Sequence, residues 1–375
     1  MAWPSRRRLA FAVIPAVAAA VLLWDIGGWV LLAIGVVVGA AIAWAWRRSG
    51  RRRRDGSRLR RTRAVGRWLV LVWGVVTLAS AAFNLLTTPR DHVTAPYGSY
   101  AEVDGTSVHY ERWGTTGSPI VLVHGFLEST LVWHRMAQLL AAKHVVYALD
   151  LAGYGYSDAN GRYGINDQAA LIDGFVRHFH LQKPMLLGHS QGAAFVGAVA
   201  LAHPGDVGKV VFVDGDGRSI PTPPSWIRKA FVRAPYLTSV YRIATNWTGL
   251  AKSMIRRACG PGCGPTDAEA DAWLKPLRQH RTEQAFFKMA EHGVPALTAS
   301  QISAIAVPRA IIWGQQDHQG GSLSATITAL HHPPVHVIPD AGHLSMMADP
   351  TAFARAVLGE APATRTAAAT SSVRP

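Results

Sequence analysis

Short apolar runs that alternate with helical patterns constrain the fold of this chain more than any other feature. Several of these runs contain no polar residue, which is typical of parallel strands that are buried on both faces. The helical patterns between them predict a doubly wound, mostly parallel α/β sheet. The predicted strands are residues 107–112, 119–123, 144–149, 185–187, 210–213, 309–313 and 335–338.

One interval in this alternation is too long for a single crossover between strands. Residues 214–308 separate the fifth predicted strand from the sixth. We therefore predict a helical cap over residues 215–308, inserted into an α/β core formed by 98–214 and 309–360. A tail rich in Ala, Thr, Ser and Pro, residues 361–375, is predicted to be disordered. The helical patterns of the cap are residues 226–233, 236–246, 267–279 and 281–291.

Three longer apolar runs precede this domain, at residues 9–24, 29–46 and 68–86. A helix needs roughly 17–25 residues to cross a bilayer, so the second and third runs are long enough and the first is marginal. Tryptophans lie at the ends of the runs, where indole rings favour the headgroup zone. We predict a membrane region of three helices over residues 1–87 and a linker over 88–97. A cleaved signal peptide is the alternative for the first run.

The charge distribution predicts the orientation of this membrane region. The net charge is +15, but residues 1–67 hold 14 of the 38 Lys/Arg and only 2 of the 23 Asp/Glu, so the rest of the chain is nearly neutral. Basic loops stay on the cytoplasmic side, which assigns the arginine-rich loop 47–67 to the cytoplasm. The chain is then a multi-pass protein of the cell membrane, with everything after Leu86 on the extracytoplasmic side. A lipid bilayer is an expected partner and nucleic acid is not.

The segment Gly188-His189-Ser190-Gln191-Gly192 follows a predicted strand and opens a helical stretch. This is the G-x-S-x-G pattern in the strand, turn and helix context that it requires. The turn holds the serine in a strained backbone, and side chains at positions 188 and 192 would clash around it. The pattern predicts a nucleophile elbow in which Ser190 exposes its hydroxyl at a helix N-terminus.

A serine hydroxyl needs a base before it can act as a nucleophile. His343 follows the last predicted strand, and Asp317 follows the strand before it. A carboxylate orients such a histidine and stabilises its imidazolium, and the chain order Ser190, Asp317, His343 is the one that accompanies this elbow. Asp214, at the end of the fifth predicted strand, remains an alternative acid, and Asp216 is a weaker one.

A tetrahedral oxyanion needs two preorganised N–H donors. The amide of Gln191, just after the nucleophile, is the first predicted donor. The second is the amide of Phe126, in the loop His124-Gly125-Phe126 after the early strand 119–123. Glu128 lies near this loop and is expected to be a surface residue, with substrate contact as the alternative.

Taken together, these features resemble the α/β-hydrolase fold superfamily, in its cap-bearing branch, over about residues 98–360. The resemblance implies hydrolysis of an ester, a lipid or a related carbonyl compound, with no metal or organic cofactor. Ser190 separates the chain from dehalogenase and epoxide-hydrolase relatives, which have Asp at the elbow, and Ala193 stands where close relatives commonly have a second glycine. The matching segments are 103–105, 108–110, 124–126, Ser129 with Trp133, 150–157, 188–192, 203–204, 313–314 with Asp317, and 342–343.

The chain has two cysteines, which excludes a disulfide-rich scaffold and a multi-cysteine metal cluster. Cys259 and Cys263 flank Gly260-Pro261-Gly262 in the predicted cap. An extracytoplasmic location permits oxidation, so a local disulfide is expected, whereas two thiols alone make a poor zinc site.

The expected function is that of a membrane-anchored serine hydrolase that cleaves carboxylic esters, with lipid or acylglycerol esters as plausible substrates. A C–C bond hydrolase, a perhydrolase or an acyltransferase would use the same three residues. A non-catalytic binding protein with this fold is the alternative from a different class. The sequence leaves the oligomeric state open.

Overall fold

The computed structural model describes residues 57–89, 93–218, 223–233 and 235–360. The apolar runs predicted at 9–24 and 29–46, and the predicted tail 361–375, lie outside these residues. The described chain divides into two compact units. One comprises the chain up to Pro89 together with Lys229–Leu250, and the other comprises the remainder. The predicted cap is therefore shared between the two units.

The helices are α1 (Ser57–Leu86), α2 (His134–Leu140), α3 (Ile165–His178), α4 (Gln191–Ala202), α5 (Ser225–Arg233), α6 (Pro235–Thr245), α7 (Thr248–Cys259), α8 (Asp267–Leu277), α9 (His280–His292), α10 (Ala299–Ser303), α11 (Leu323–Ala329), α12 (Ser345–Ala348) and α13 (Pro350–Val357). The strands are β1 (Ser99–Val103), β2 (Thr106–Trp113), β3 (Pro119–Val123), β4 (Val145–Leu149), β5 (Met185–His189), β6 (Lys209–Val213), β7 (Arg309–Gly314) and β8 (Val335–Ile338).

The smaller unit is built on α1. Its segment Val65–Leu86 is, among the described residues, the one helix long and apolar enough to cross a membrane by length and composition. The helix includes Ser57–Leu86, so residues 57–67 of the predicted loop 47–67 are helical and the helix is longer than the apolar run 68–86. Arginine is a good helix former, so a basic stretch can extend an apolar helix beyond its membrane-crossing length.

Polar side chains join α1 to α6 within this unit. The hydroxyl of Ser239 lies 2.5 Å from that of Ser80 and donates to Asn84 Oδ1 at 2.9 Å. Tyr236 hydrogen-bonds to Thr77, and the guanidinium of Arg242 donates to the backbone carbonyl of Asn84 near the end of α1. The two helices are therefore held together by side-chain hydrogen bonds along one face of α1.

The larger unit is organised around one eight-stranded sheet in the order β1-β2-β4-β3-β5-β6-β7-β8. Strands β3 to β8 are mutually parallel, and β2 pairs antiparallel with both β1 and β4 at one edge. This is the mixed, mostly parallel α/β sheet that the apolar runs predict.

Alternate residues of the central strands enter two different apolar layers. Val121 and Val123 of β3 pack in one layer with Phe175 of α3, whereas Leu122 packs in the other with Met136 of α2. Helices therefore cover both faces of the sheet, which explains why the middle residues of its central strands are apolar.

The predicted strands and cap helices did not include β1 or α7. β1 pairs with β2 through a hairpin whose turn residues, Asp104 and Gly105, both have positive φ. Asp-Gly is a strong hairpin signal, so the sequence did contain the evidence. Helix α7 buries Ala251, Ile255 and Cys259 at four-residue spacing, which is one face of a helix.

Candidate active site

Ser190 lies at the turn between β5 and α4. Its φ is 50° and its ψ is −113°, a strained conformation for a residue with a side chain. The turn is held by its N–H, which donates to Val213 O at 2.8 Å. A Cβ at Gly188 would lie 2.4 Å from Gly192 O, and one at Gly192 would lie 2.6 Å from His124 O. Both positions therefore require glycine for steric reasons.

His343 lies between a hydroxyl and a carboxylate. Its Nε2 is 3.0 Å from Ser190 Oγ, and its Nδ1 is 3.1 Å from both carboxylate oxygens of Asp317. An ionised carboxylate only accepts hydrogen bonds, so Nδ1 carries the proton and Nε2 is left to accept one from the serine.

Asp317 is held in place by its own loop. Its Oδ1 accepts hydrogen bonds from the amides of Gln319 at 2.7 Å and Gly320 at 3.1 Å. Burial would raise the pKa of Asp317, but the hydrogen bond and charge of His343, together with these amides, lower it below the usual range. The carboxylate beside His343 is therefore ionised at neutral pH.

The alternative acid, Asp214, points elsewhere. Its Oδ1 accepts from Gly314 N at 2.6 Å, and its Oδ2 accepts from the amide and hydroxyl of Ser345. Burial raises the pKa of Asp214 to about 6. The structure brings Asp317, and not Asp214, to the imidazole. Asp216 is bound by Thr326 Oγ1 at 3.0 Å.

The loop that contains Phe126 is fixed by three hydrogen bonds. Glu128 Oε2 accepts from Gly125 N at 2.7 Å, and His124 Nδ1 lies 2.8 Å from Gly125 O. Leu151 N donates to His124 Nε2 at 3.1 Å, so His124 is neutral and its proton is on Nδ1. Glu128 is only 7% exposed. The expectation that it is a surface residue is therefore wrong, because this loop needs a buried acceptor.

The loop lies directly beside the nucleophile. A Cβ at Gly125 would be 3.1 Å from the Cβ of Ser190. Gln191 begins α4, and the first amides of a helix have no acceptor within the helix. The predicted oxyanion donors thus come from two segments that meet at Ser190.

A model of the alpha/beta hydrolase family matches residues 120–356, which includes the elbow, the acid and the histidine. The chain belongs to the alpha/beta hydrolase family.

The chain is similar to several members of this family. It is 27% identical over 219 residues to the uncharacterized hydrolase YugF of Bacillus subtilis, covering 57% of this chain and 79% of that one. It is 34% identical over 196 residues to N-formylmaleamate deformylase of Pseudomonas putida, covering 50% and 69%. A serine hydrolase involved in carbazole degradation has the same fold, with a TM-score of 0.59 and 19% identity over 71% of this chain and 98% of that one.

Within this alpha/beta hydrolase, helices of the larger unit pack over residues 124–128, the predicted oxyanion loop. The ring of Phe286 on α9 lies 5.9 Å from that of Phe126, and Trp273 Nε1 on α8 donates to Leu127 O at 3.0 Å. Tyr154 OH donates to Gln191 Oε1 at 2.9 Å. Aromatic side chains therefore contact the loop that contains Phe126 and the first residue of α4, the two segments next to Ser190.

The end of α7 supports residues 339–344, the histidine loop that contains His343. Cys259 and Cys263 form a disulfide. Cys259 O accepts from Gly342 N at 2.8 Å, and Ala258 O accepts from Leu344 N at 3.2 Å. The residues on both sides of His343 are thus hydrogen-bonded to the C-terminal end of α7, where the disulfide begins.

One group of side chains in the described residues has the spacing of metal ligands. It comprises Asp173, His203 and Asp206. Asp173 already forms an ion pair with Arg177, one turn along α3. The Arg177 guanidinium therefore already binds Asp173, the one buried carboxylate of this group, which argues against a metal centre there.

Proposed function

We propose that this protein is a serine hydrolase that cleaves carboxylic esters through Ser190, His343 and Asp317. One observation supports this most directly: the 3.0 Å contact between Ser190 Oγ and His343 Nε2, with the Asp317 carboxylate on the opposite ring nitrogen. Positioned nucleophile, base and orienting carboxylate are what acyl transfer to a serine requires.

The first half of the proposed reaction forms an acyl-enzyme. His343 Nε2 takes the proton of Ser190 as Oγ attacks the ester carbonyl. The amides of Phe126 and Gln191 donate to the resulting oxyanion, and each such donor typically contributes about 3–4 kcal/mol. The tetrahedral intermediate then expels the alcohol, which receives the proton from His343.

The second half returns the enzyme to its starting state. Water enters, His343 removes its proton, and the hydroxide attacks the acyl carbonyl. The second tetrahedral intermediate collapses, Ser190 Oγ leaves and recovers the proton, and the carboxylic acid departs. Asp317 stabilises the imidazolium in both halves.

We also propose that the enzyme is tethered to a membrane and acts on the extracytoplasmic side. Support comes from the apolar segment Val65–Leu86 of α1 and from the arginines at its N-terminal side. A tether places the site beside lipid, so lipid or acylglycerol esters are the proposed natural substrates. Fusing alkaline phosphatase, which folds only outside the cytoplasm, to the C-terminus tests this orientation. An inactive fusion that is expressed at normal levels would contradict it.

An amide substrate is the second candidate. It is favoured by the similarity to N-formylmaleamate deformylase. Ester and amide hydrolysis share the acyl-enzyme, but an amide depends more on proton donation to its leaving nitrogen. Parallel assays with an ester and with its matched amide separate the two candidates.

The experiment that tests the proposed reaction compares the full chain in detergent with its Ser190→Ala variant. We expect a fluorophosphonate probe to label the wild type alone, and kcat on an ester series to fall roughly 10⁵- to 10⁶-fold in the variant. Ser324→Ala, at an exposed serine on α11, is the matched control and should behave as wild type. Product analysis with water, peroxide or alcohol as the acceptor distinguishes a hydrolase from a perhydrolase or an acyltransferase. Ligand binding without labelling or turnover would favour a binding protein instead.

A further inference from the structure

A second carboxylate and imidazole lie directly beneath the nucleophile. His189 precedes Ser190 in the chain and is fully buried, as is nearly all of Glu128. His189 Nδ1 is 2.8 Å from Glu128 Oε2, and His189 Nε2 is 2.7 Å from the backbone carbonyl of His343. Neither side chain has a role in the reaction proposed above.

The two acceptors establish the charge of His189. A carboxylate and a carbonyl both accept hydrogen bonds, so each ring nitrogen must carry a proton and the ring is an imidazolium. Burial alone would lower the pKa of His189, but the Glu128 carboxylate outweighs it and raises the pKa to about 9. Burial would likewise raise the pKa of Glu128, but His189 lowers it. The pair is an ion pair at neutral pH.

This ion pair reaches the oxyanion loop through Glu128. The same carboxylate oxygen that meets His189 accepts from Gly125 N at 2.7 Å. On the other side of Gly125, its carbonyl accepts from His124 Nδ1 at 2.8 Å. That carbonyl and the N–H of Phe126 belong to one planar trans peptide and point in opposite directions. Fixing Gly125 therefore fixes the direction of the proposed oxyanion donor.

The ion pair also reaches the base and the nucleophile. His189 is covalently joined to Ser190, and it holds the backbone of His343 by the carbonyl hydrogen bond. The rings of His189 and His343 lie 4.8 Å apart, centre to centre. One connected network thus contacts the oxyanion loop, the nucleophile elbow and the histidine loop.

We propose that Glu128 and His189 are positioning residues, whose ion pair holds the base and an oxyanion donor in register with Ser190. This inference rests on the proposed function of Ser190 and His343. A misplacement of about 1 Å at a reacting group can lower the rate roughly 100-fold. The pair acts on the geometry of the chemical step and does not touch the substrate, so its loss should change kcat and leave KM nearly unchanged.

The structure supplies a matched control pair. Asp150 and His109 are also fully buried, and His109 Nδ1 is 2.7 Å from Asp150 Oδ2. His109 Nε2 meets the backbone carbonyl of Tyr97 at 2.9 Å, ahead of the edge strand β1. This pair has the same two kinds of hydrogen bond as Glu128 and His189, but its carbonyl partner is outside the histidine loop.

The test uses the full chain in detergent and counts active sites by fluorophosphonate labelling. We expect His189→Ala to lower kcat per labelled site roughly 10- to 100-fold, with KM within about threefold of wild type. His189→Gln should recover part of this loss, since its amide nitrogen can still donate to His343 O. His109→Ala should lose thermal stability but keep kcat per labelled site.

Glu128→Gln keeps the test decisive if His189→Ala does not fold. The substitution preserves shape and removes only the charge, and we expect an intermediate loss of kcat. Full kcat per labelled site in Glu128→Gln, or equal kcat in His189→Ala and His109→Ala, would overturn the proposal. A wild type that neither binds the probe nor hydrolyses esters would instead overturn the proposed function.

Discussion

Two buried ion pairs in the larger unit have nearly the same chemistry and very different surroundings. In each, a carboxylate meets Nδ1 of a histidine whose Nε2 donates to a backbone carbonyl. The Asp150 and His109 pair binds Tyr97, near the edge of the sheet, whereas the Glu128 and His189 pair binds His343. The carbonyl that the second nitrogen reaches therefore decides whether such a pair stabilises the fold alone or also positions a reacting group.

A third carboxylate and histidine complete this comparison. In Asp317 and His343 the second nitrogen faces the hydroxyl of Ser190 in place of a carbonyl. A hydroxyl can donate a hydrogen bond to a ring nitrogen, whereas a carbonyl oxygen can only accept one. The roles proposed for these three similar pairs differ with the partner of Nε2.

Among the carboxylates, the largest effect is expected at Asp317, with Asp214 as its control. Asp317→Asn should lower kcat roughly 10³- to 10⁴-fold, because an amide cannot stabilise the imidazolium and favours the wrong tautomer. Asp214→Asn should change kcat far less, since its carboxylate binds Gly314 and Ser345. Steady-state kinetics per labelled site measure both. Equal losses would show that the two carboxylates share the role.

The next effect is on stability at alkaline pH. The pKa of His189 is raised by Glu128 to about 9, so the native state binds this proton more tightly than the unfolded chain does. The resulting stability is fully present below pH 6.5 and is lost as the pH rises to about 9, on the order of 3 kcal/mol. Asp214, with a pKa of about 6, titrates below most of this range.

His109 should contribute a loss of the same sign, because Asp150 raises its pKa despite burial. Thermal unfolding between pH 6 and 10 measures the sum. Glu128→Gln and Asp150→Asn should each flatten the pH dependence, while only Glu128→Gln lowers kcat. If Glu128→Gln leaves the pH dependence of stability unchanged, His189 is not an imidazolium.

The smallest expected effect concerns the other support of the histidine loop. Replacing Cys259 and Cys263 by serine should lower the free energy of unfolding by about 2 kcal/mol, the chain-entropy value for so short a loop. It should lower kcat only a few-fold, because the carbonyls of Ala258 and Cys259 still hold the neighbours of His343. A reductant should affect the wild type in the same way and leave the double variant unchanged. A kcat loss as large as that of His189→Ala would reverse the ranking of the two supports.

Local patterns predicted much of the sheet. Short β-rich runs predicted seven of its strands, and several of these runs are continuously apolar because burial on both faces excludes polar residues. The runs did not predict β1, whose residues Ser99, Tyr100 and Glu102 are exposed at the sheet edge. The runs also did not predict α7, although Ala251, Ile255 and Cys259 have the four-residue spacing of a helix face.

The sequence predicted the candidate site best where the backbone geometry allows only one residue type. A strained turn with glycines at 188 and 192 identifies Ser190, and the late loops contain His343 and Asp317. The sequence favoured Asp317 as the acid but left Asp214 as an alternative, because both follow parallel strands that end at the same edge of the sheet. Only the loop after β7, with its amides on Asp317, brings that carboxylate to the imidazole.

The sequence by itself determined the fold class, the elbow and the presence of an apolar helix ahead of the α/β domain. These depend on spacing, periodicity and composition, which are local along the chain. Only the tertiary structure decided the environment of Glu128 and His189, which are far apart in sequence and meet across the ends of two strands. Every residue has a backbone carbonyl, so the residue type of the acceptor does not indicate that such a hydrogen bond will form. The roles of the buried histidines therefore depend on the folded chain.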